Sequence, residues 1–306
     1  MNRAMATDPL NNTRAAARFM LTSMLIIGLI DNFVVTIAEH SSLWQFLAVR
    51  AVFAIPLVAL LAAMGFGNMR VKSLWRVAAR GGLMAGGMLC YFGALGFMSI
   101  SLALAGLFTA PIFVLLISAF LLKQRVGPKR IAAVAVGFLG ILLVIGPNFS
   151  DLGWTVLVPI FGGLLYAGGS VATRALCEGE ETFAMLWAMF AVQGLATLTG
   201  LIIITIIGPN APIGTDGYVL RGWVWPIGPA LPWIIVQAVG SVIAVAFLIR
   251  AYQVAEASIV TVFEYSVFIF GPLFAWLIWG ETLGWQEALG IALIASAGIL
   301  IAFRSE

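Results

Sequence analysis

Three charged side chains interrupt otherwise apolar stretches of the sequence and are the first candidates for chemistry: Asp31, Arg50 and Glu264. A charge at bilayer depth is costly, so it usually faces a partner or a water-filled cavity. Asp31 and Arg50 each lie about eight residues, or about 12 Å of helix, from the short turn between their two stretches. An antiparallel hairpin would therefore bring them to the same depth. Two interpretations stay open, a structural ion pair or a pair that holds the charged ends of a zwitterionic solute.

Glu264 has no basic residue within one helical turn and is followed by Gly271 and Pro272. A proline removes an intrahelical hydrogen bond and bends a helix, which frees carbonyl groups to face inward. Gly271 and Pro272, together with Pro111 in the first half of the chain, are therefore candidate hinges. A carboxyl group beside a hinge suits proton coupling, because it can release a proton when a cation arrives. The alternative is a carboxyl group held by a hydrogen bond from a neighbouring helix, for which Gln237 and Ser241 are the candidate donors.

Further polar and aromatic side chains could complete a cavity around these charges. Each aromatic residue taken alone is explained more simply by core packing or lipid contact. As a set that converges from both halves of the chain, they indicate a pocket for a compact, partly apolar solute. The candidate substrate-binding or coupling residues are Asp31, Asn32, Arg50, Tyr91, Thr109, Tyr166, Trp187, Gln237, Glu264 and Tyr265.

Composition places these residues in a membrane. Of the 306 residues, 62% are hydrophobic and 9% are charged, whereas a soluble domain carries about 25% charged residues. A soluble multidomain protein is therefore excluded. A helix needs about 20 apolar residues to cross a bilayer core about 30 Å thick. Ten such stretches predict an all-α integral membrane protein with transmembrane helices near 17–37, 43–65, 81–98, 103–122, 130–147, 153–174, 183–207, 230–250, 257–279 and 286–303.

The basic residues give this chain an orientation. Apart from Arg50 and Arg221, the 16 Lys and Arg residues fall on one side of the predicted helices, and basic connections stay in the cytoplasm. Both termini are then cytoplasmic, with 1–16 as a short N-terminal segment. The net charge of +3 reflects this orientation, so we expect no nucleic-acid partner. The Gly- and Pro-rich loop 208–229 lies outside, either resting at headgroup level or acting as a gating lid.

Two stretches, 111–146 and 268–303, repeat one pattern. Each contains an apolar helix, a short polar turn with a glycine (Gly127 or Gly284) and a second apolar helix. Basic residues crowd the first turn and are missing from the second, so the same unit is inserted in opposite directions. The sequence therefore predicts two inverted five-helix repeats, 17–147 and 153–303. Many secondary transporters are built in this way, with the substrate held between the repeats.

Several residues of this pattern match a known family. Arg50 lies early in the second helix, Pro111 lies in the fourth helix, and Glu281 begins the polar turn of the second repeat. With these residues the chain resembles the drug/metabolite transporter superfamily, and each repeat resembles its EamA-type domain. The sequence departs from that pattern at Gln124, where the first repeat lacks the glutamate, and at Phe268, where the second lacks the proline. The resemblance implies a bacterial inner-membrane (plasma membrane) exporter of amino acids or other metabolites.

The predicted function is secondary transport by alternating access around a midplane cavity, with proton coupling as an option. Uptake of a small cationic or zwitterionic metabolite is the alternative, and the sequence indicates no oligomeric state. An intramembrane enzyme is a remote rival, because the sequence has a single histidine, His40, and no metal-binding or nucleophile motif. Asp31 and Glu264 are also expected near opposite faces of the membrane. We therefore expect no enzyme activity, metal or cofactor, whereas a receptor or structural role stays open.

Overall fold

The computed structural model describes residues 12–98, 100–146, 153–208, 210–212, 217–280 and 284–302, and all regular structure in these ranges is helical. A π-helical turn, Ile117–Leu121, extends α6, and a 3-10 turn, Trp154–Val156, precedes α8. The helices are α1 (Thr13–Asp31), α2 (Val34–His40), α3 (Leu43–Ala63), α4 (Leu74–Ala94), α5 (Ile100–Leu107), α6 (Ala110–Leu116), α7 (Pro128–Ile145), α8 (Leu157–Ala175), α9 (Thr182–Ile207), α10 (Leu231–Val254), α11 (Ala257–Glu264), α12 (Val267–Trp279) and α13 (Trp285–Ala302).

The helices begin and end where the sequence supplies partners or freedom for the terminal backbone groups. The side chains of Asn12 and Ser42 each accept a hydrogen bond from the amide three residues later, at the starts of α1 (2.9 Å) and α3 (3.2 Å). Gly146, Gly208 and Gly280 end α7, α9 and α12 in the left-handed conformation, which a residue without Cβ adopts readily. Local capping therefore defines where the apolar runs stop.

Many of these helices are suited to a bilayer. Seven described spans are long and apolar enough to cross one, and the shorter apolar helix Trp285–Leu300 follows them. For the described residues, the expectation of an all-helical protein with multiple apolar helices is confirmed. The seven spans are Thr13–His40, Leu43–Ala63, Leu102–Leu121, Trp154–Ala175, Thr182–Ile207, Leu231–Val254 and Ala257–Ile278.

Three of these spans are broken into two helical pieces. The breaks separate α1 from α2, α5 from α6 and α11 from α12. Two candidate carboxyl groups, those of Asp31 and Glu264, belong to the last residue before a break. Interrupted backbone at membrane depth is tolerated where it is buried in protein or lines a cavity. The breaks therefore mark the interior region in which a polar site can be built.

Helix packing joins the two ends of the sequence. The most extensive contacts pair α7 with α13, α4 with α8, α1 with α10 and α3 with α9. Each pair takes one helix from before residue 146 and one from after residue 153. In order along each half, α1, α3, α4 and α7 correspond to α8, α9, α10 and α13. The pattern of pairs is then unchanged when the halves are exchanged, as expected of two related units packed around a two-fold axis.

Glycines allow the closest approaches between halves. A Cβ atom added to Gly87 of α4 would lie 2.8 Å from the carbonyl oxygen of Gly162 in α8. A Cβ atom added to Gly28 of α1 would lie 2.8 Å from the backbone nitrogen of Gly271 in α12. Small residues at such crossings let helix backbones pack directly against each other in a membrane. Any larger side chain at these positions would push the two halves apart.

Polar contacts tie the connections at one end of the bundle, which we call the basic end. The Asn12 amide donates to the Val254 carbonyl (2.9 Å), so the start of α1 meets the end of α10. The Glu180 carboxylate, between α8 and α9, accepts from the Ser73 amide (2.7 Å) at the start of α4. The basic end therefore gathers the connections that carry most of the positive charge.

The long connection between α9 and α10 packs at the other end, which we call the loop end. The Leu43 amide donates to the Tyr218 carbonyl (2.9 Å), and the Trp44 indole donates to the Val219 carbonyl (2.7 Å). Tyr218 is fully buried, whereas Trp225 is 75% exposed. The described part of this loop thus lies over the start of α3 and presents a tryptophan outward.

One predicted helix starts too late. The third stretch was expected at 81–98, but α4 begins at Leu74. Arg80, expected on the basic side of the helices, therefore lies within α4 and is fully buried. Arg76 and Arg80 lower the local hydropathy, which hides the first two turns from an apolar count. Most of the segment 1–16, and Glu281 of the family pattern, lie outside the described residues.

Candidate functional site

A central cavity of about 90 Å³ lies between the two halves. Most of its wall is methionine, phenylalanine and aliphatic side chains from α1, α4, α5, α9 and α10. Its polar lining residues are Asp31, Arg50, Tyr91, Tyr166, Gln237, Ser241 and Glu264. Six of these seven were candidate substrate-binding or coupling residues, Ser241 was a candidate partner of Glu264, and the seven come from six different helices. The cavity therefore joins an apolar wall to a few convergent polar groups, the usual composition of a small-molecule site.

Glu264 sits at the break between α11 and α12 and is 1% exposed. The Tyr252 hydroxyl donates a short hydrogen bond to its Oε1 atom, and the Tyr166 hydroxyl donates a longer one (3.4 Å) to the same atom. No basic side chain pairs with this carboxyl group in the described part of the chain. The tyrosines thus provide the partners that were expected from Gln237 or Ser241.

Asp31 sits at the break between α1 and α2 and is half-buried, because its side chain faces the cavity. The Gln237 side-chain amide donates to Asp31 Oδ1 (3.3 Å) and to the Ile30 carbonyl (2.8 Å). Gln237 therefore joins α10 to the end of α1, and one carboxylate oxygen of Asp31 has a fixed partner. The lone pairs of the Asp31 carboxylate that Gln237 does not use face the cavity.

Arg50 is enclosed by aromatic rings. Its guanidinium carbon lies 5.3 Å from the ring centroids of Phe46 and Phe92 and 5.9 Å from that of Phe190. One terminal nitrogen donates to Gln193 Oε1 (2.6 Å). Cation–π contacts and one hydrogen bond thus stabilise a charge that is 4% exposed. The Nε atom has no partner among the described residues.

The structure changes the expected relationship between Asp31, Arg50 and Glu264. Asp31 and Arg50 reach the same cavity, but within the described ranges they form no direct ion pair, since each uses another partner. Glu264 reaches the same cavity, although it was expected near the opposite face from Asp31. All three charges therefore surround one space rather than forming one pair and one isolated acid.

Four sequence candidates lie away from the cavity wall. Asn32 donates to the carbonyl oxygens of Gly28 (2.6 Å) and Gly271 (3.3 Å), linking α1 to α12. Thr109 bonds within its own chain segment at the break between α5 and α6. Trp187 is 36% exposed on the outside of α9, and the buried Tyr265 ring packs against Gly137 of α7.

The candidate hinges lie close to the helix breaks. Pro111 is at the start of α6, directly after one break. Pro272 lies inside α12, and the interruption of that span comes earlier, between Glu264 and Val267. Gly271 meets α1 at Gly28, so it serves a close helix contact.

Two buried polar residues near the site were missed from the sequence. Tyr252 lies beyond the predicted end of its helix at 250, and Arg80 lies before the predicted start of its own. Arg80 follows the spacing of the cavity residues Met84 and Met88 on α4, a signal that the sequence does contain. In the described ranges, no three His, Cys, Asp or Glu residues are grouped so as to hold a metal ion.

Comparison with known proteins agrees with this architecture. The model of the EamA-like transporter family matches residues 15–146 and 153–303. A riboflavin transporter of Rhizobium johnstonii is 29% identical over 266 residues, covering 86% of this chain and 80% of that protein. The pseudopaline exporter CntI of Pseudomonas aeruginosa is 29% identical over 215 residues, covering 70% and 67%. A solved crystal structure superposes with a TM-score of 0.74 at 20% identity, over 94% of this chain and 96% of that one, which concerns the fold alone.

These matches confirm the resemblance to a family with two EamA-type units. The relatives are named as transporters, not as enzymes, and they come from bacteria. Together with the apolar helices, they place the protein in the plasma membrane as a multi-pass protein. The chain therefore belongs to the EamA-like transporter family of the drug/metabolite transporter superfamily.

Proposed function

We propose that this chain moves a small organic metabolite, an amino acid or a related compound, out of the cell by alternating access around the central cavity. One observation carries the proposal: the polar lining comes from both family-matched segments. Asp31, Arg50 and Tyr91 belong to the first, and Tyr166 and Glu264 belong to the second. A site held between two repeats opens to alternate sides when the repeats rock against each other.

The proposed topology has ten transmembrane helices as two inverted repeats, with α4, α7 and α13 crossing in addition to the seven apolar spans. Contacts within the basic end and within the loop end support it. The connections joined by Asn12 and Val254 are both expected inside, and those joined by Leu43 and Tyr218 are both expected outside. The positive-inside rule then places the basic end, and both termini, in the cytoplasm.

The size and lining of the cavity favour a compact solute. A volume of about 90 Å³ is several times the roughly 10–15 Å³ that a cavity needs to hold one water, so it has room for part or all of a compact solute. The apolar wall suits a hydrophobic side chain, Arg50 suits a carboxylate, and Asp31 or Glu264 suits an ammonium group. The named riboflavin relative makes flavins a second class of solute to test.

Proton coupling is an option that Glu264 offers. Its carboxyl group receives two tyrosine hydroxyls and no basic side chain within the described ranges. A neutral carboxyl group is compatible with that setting, and an ammonium group arriving in the cavity would favour proton release. An intramembrane acid pair is disfavoured, because Asp31 and Glu264 hold separate partners. Uptake would use the same cavity with the opposite gradient.

The proposal is tested with the purified full chain in proteoliposomes. Flux of radiolabelled amino acids and of riboflavin is measured with and without an imposed pH gradient, from each side of the membrane. We expect saturable flux of at least one amino acid. Acceleration by the pH gradient would support coupling, and the preferred direction of concentrative flux separates export from uptake.

Carboxyl variants connect that flux to the cavity. Glu264→Gln and Asp31→Asn should each reduce flux, whereas Glu39→Gln, at an exposed position of α2, should leave it unchanged. Full flux in both cavity variants would remove these carboxyl groups from the mechanism. Absence of any saturable flux across the panel, in protein that melts cooperatively, would argue for a receptor or structural role.

A further inference from the structure

Arg80 carries a buried charge that the central cavity does not explain. Its side chain is fully buried in α4. The Nε atom donates to the Thr173 hydroxyl of α8 (3.0 Å), but both terminal nitrogens, Nη1 and Nη2, have no hydrogen-bond partner among the described residues. Arg80 is also not one of the residues that line the cavity. Two terminal nitrogens of a buried guanidinium are therefore available to a ligand.

The position of Arg80 connects it to the transport path. Met84, Met88 and Tyr91 of α4 line the cavity, and Arg80 precedes them at the same helical spacing. Residues four and three apart lie on one face of a helix. Arg80 therefore continues the cavity-facing stripe of α4 towards the basic end, one turn beyond Met84.

Other polar groups surround this guanidinium. Tyr166 and Tyr252, which hold Glu264, lie close enough to Arg80 to interact with it electrostatically. Ser170 is one turn from both Tyr166 and Thr173 on α8, and its buried hydroxyl has no partner among the described residues. The region between the cavity and the basic end thus contains unused donors from α4 and α8.

The chemistry of these donors selects an oxyanion. Removing an arginine from water without an anionic partner costs several kcal/mol, and an anion bound to its terminal nitrogens would offset part of that cost. The two terminal nitrogens of a guanidinium match the two oxygens of a carboxylate in a bidentate pair. The Ser170 hydroxyl can supply a further donor.

We propose that Arg80 and Ser170 form a second, inner binding station for the carboxylate group of the transported solute, between the central cavity and the basic end. This inference rests on the proposed transport of carboxylate-bearing metabolites. Arg50 would hold the carboxylate in the central cavity, and Arg80 would hold it on the cytoplasmic half of the path. A solute would then exchange one arginine for the other as the repeats rock.

Binding of a simple carboxylate tests the station without measuring transport. Benzoate is titrated against the detergent-purified full chain, and the melting temperature is followed by tryptophan fluorescence, with benzamide as the neutral control. We expect benzoate, and not benzamide, to raise the melting temperature. In Arg80→Gln the apparent benzoate affinity should fall on the order of ten- to hundredfold, as expected for lost hydrogen bonds to a charged group. Ser170→Ala should cause a smaller loss.

Arg250→Gln is the matched control. Arg250 lies at an exposed position of α10, so its loss should leave the benzoate affinity unchanged. An undiminished benzoate affinity in Arg80→Gln would overturn the proposal, as would equal losses in both arginine variants. Lack of selectivity for benzoate over benzamide in the unmodified chain would also overturn it.

The melting temperature without ligand separates a binding role from a structural one. Arg80→Gln loses one hydrogen bond to Thr173 and removes a buried charge that has no anionic partner among the described residues, so its melting temperature should be unchanged or higher. A large fall would indicate a structural arginine and overturn the proposal. If Arg80→Gln cannot be purified, Arg80→Lys takes its place. Its ammonium group lacks the bidentate fork, so weaker but still selective benzoate binding is expected, and unchanged affinity would count against the station. If no flux is found but benzoate binding is weakened in Arg80→Gln as expected, only the proposed transport is refuted.

Discussion

Thr109 and Ser266 make the same hydrogen bond at equivalent places in the two halves. The Thr109 hydroxyl donates to the Gly106 carbonyl (2.6 Å), and the Ser266 hydroxyl donates to the Phe263 carbonyl (2.7 Å). Each donor lies three residues after its acceptor, and each lies two residues before the start of a repeated stretch, 111–146 or 268–303. At each break the hydroxyl adds a second hydrogen bond to a carbonyl group that also accepts from the amide of the same residue (3.2 Å).

Thr109→Ala and Ser266→Ala should therefore have similar effects. Each should lower the free energy of unfolding by about 0.5–1.5 kcal/mol, the net value of one hydrogen bond, as measured by thermal or denaturant unfolding in detergent. Ser296→Ala is the control, since Ser296 makes the same type of bond on an exposed face of α13 and should have a smaller effect. A large effect at one break and none at the other would show that the breaks are not equivalent.

Tyr252 should contribute to stability through its hydrogen bond to Glu264. Tyr252→Phe removes the shorter of the two hydrogen bonds to buried Glu264. Such a bond contributes about 0.5–1.5 kcal/mol to the free energy of unfolding when the carboxyl group is neutral and about 1.5–3 kcal/mol when it is charged. Tyr166→Phe should cost less, because its hydrogen bond is long (3.4 Å). Tyr265→Phe is the matched control, since that buried hydroxyl has no partner in the described structure. Unfolding curves that rank Tyr265→Phe above Tyr252→Phe in cost would contradict this arrangement.

Arg50 should not tolerate lysine. The guanidinium stacks on three rings and donates to Gln193, and an ammonium group reproduces neither the planar stacking nor the fork geometry. We expect Arg50→Lys to lower the free energy of unfolding by about 1–2 kcal/mol and to raise the half-saturation concentration for carboxylate-bearing solutes. Arg250→Lys, at an exposed position of α10, provides the control and should match the unmodified chain. If the two variants behave alike, the rings of Phe46, Phe92 and Phe190 around Arg50 take no part in substrate recognition.

Cys177 should report opening of the basic end. It is 1% exposed, and its thiol donates to the Arg76 carbonyl (3.6 Å). Burial raises the pKa of the Cys177 thiol, so a smaller fraction is thiolate at neutral pH. Maleimide labelling, measured with Cys90 replaced by serine, should therefore be slow. Its rate should keep rising beyond the pH at which the labelling rate of a free thiol levels off.

Glu180→Gln should accelerate that labelling. The Glu180 carboxylate accepts from the amides of Lys72 (2.8 Å) and Ser73 (2.7 Å), and a carboxamide offers only one acceptor atom for these two donors. Opening of this contact should expose Cys177 and lower its pKa towards the usual value. Glu178→Gln removes a charge from an exposed position of the same connection, so it controls for charge alone. The same labelling rate in both variants would mean that Glu180 does not hold the basic end closed.

Much of the fold was readable from local patterns. Apolar runs of about 20 residues predicted the helices, and the echo of 111–146 in 268–303 predicted duplication that the family match supports. The start of α4 was misplaced because Arg76 and Arg80 interrupt the apolar run. Hydropathy alone cannot distinguish an arginine at a helix end from one buried within the helix.

The membership of the site was readable in part. Asp31, Arg50 and Glu264 stood out because a charge at bilayer depth is costly, and this can be recognised without knowing which way the helix faces. Tyr265 and Trp187 did not reach the cavity, since a residue's face depends on how its helix is rotated against its neighbours. Tyr252 gave no signal of its own, because a tyrosine at the end of an apolar helix is common.

The sequence by itself determined that the chain is an apolar, helical, duplicated membrane protein with a few costly charges. These properties follow from residue type, period and charge along the chain. Only the tertiary structure decided that Arg50 pairs with Gln193, Gln237 with Asp31 and Tyr252 with Glu264. Such partners depend on the crossing and rotation of helices whose paired residues are up to 206 positions apart in the sequence. The close approaches at Gly87 and Gly28 set that geometry, and no local pattern encodes it.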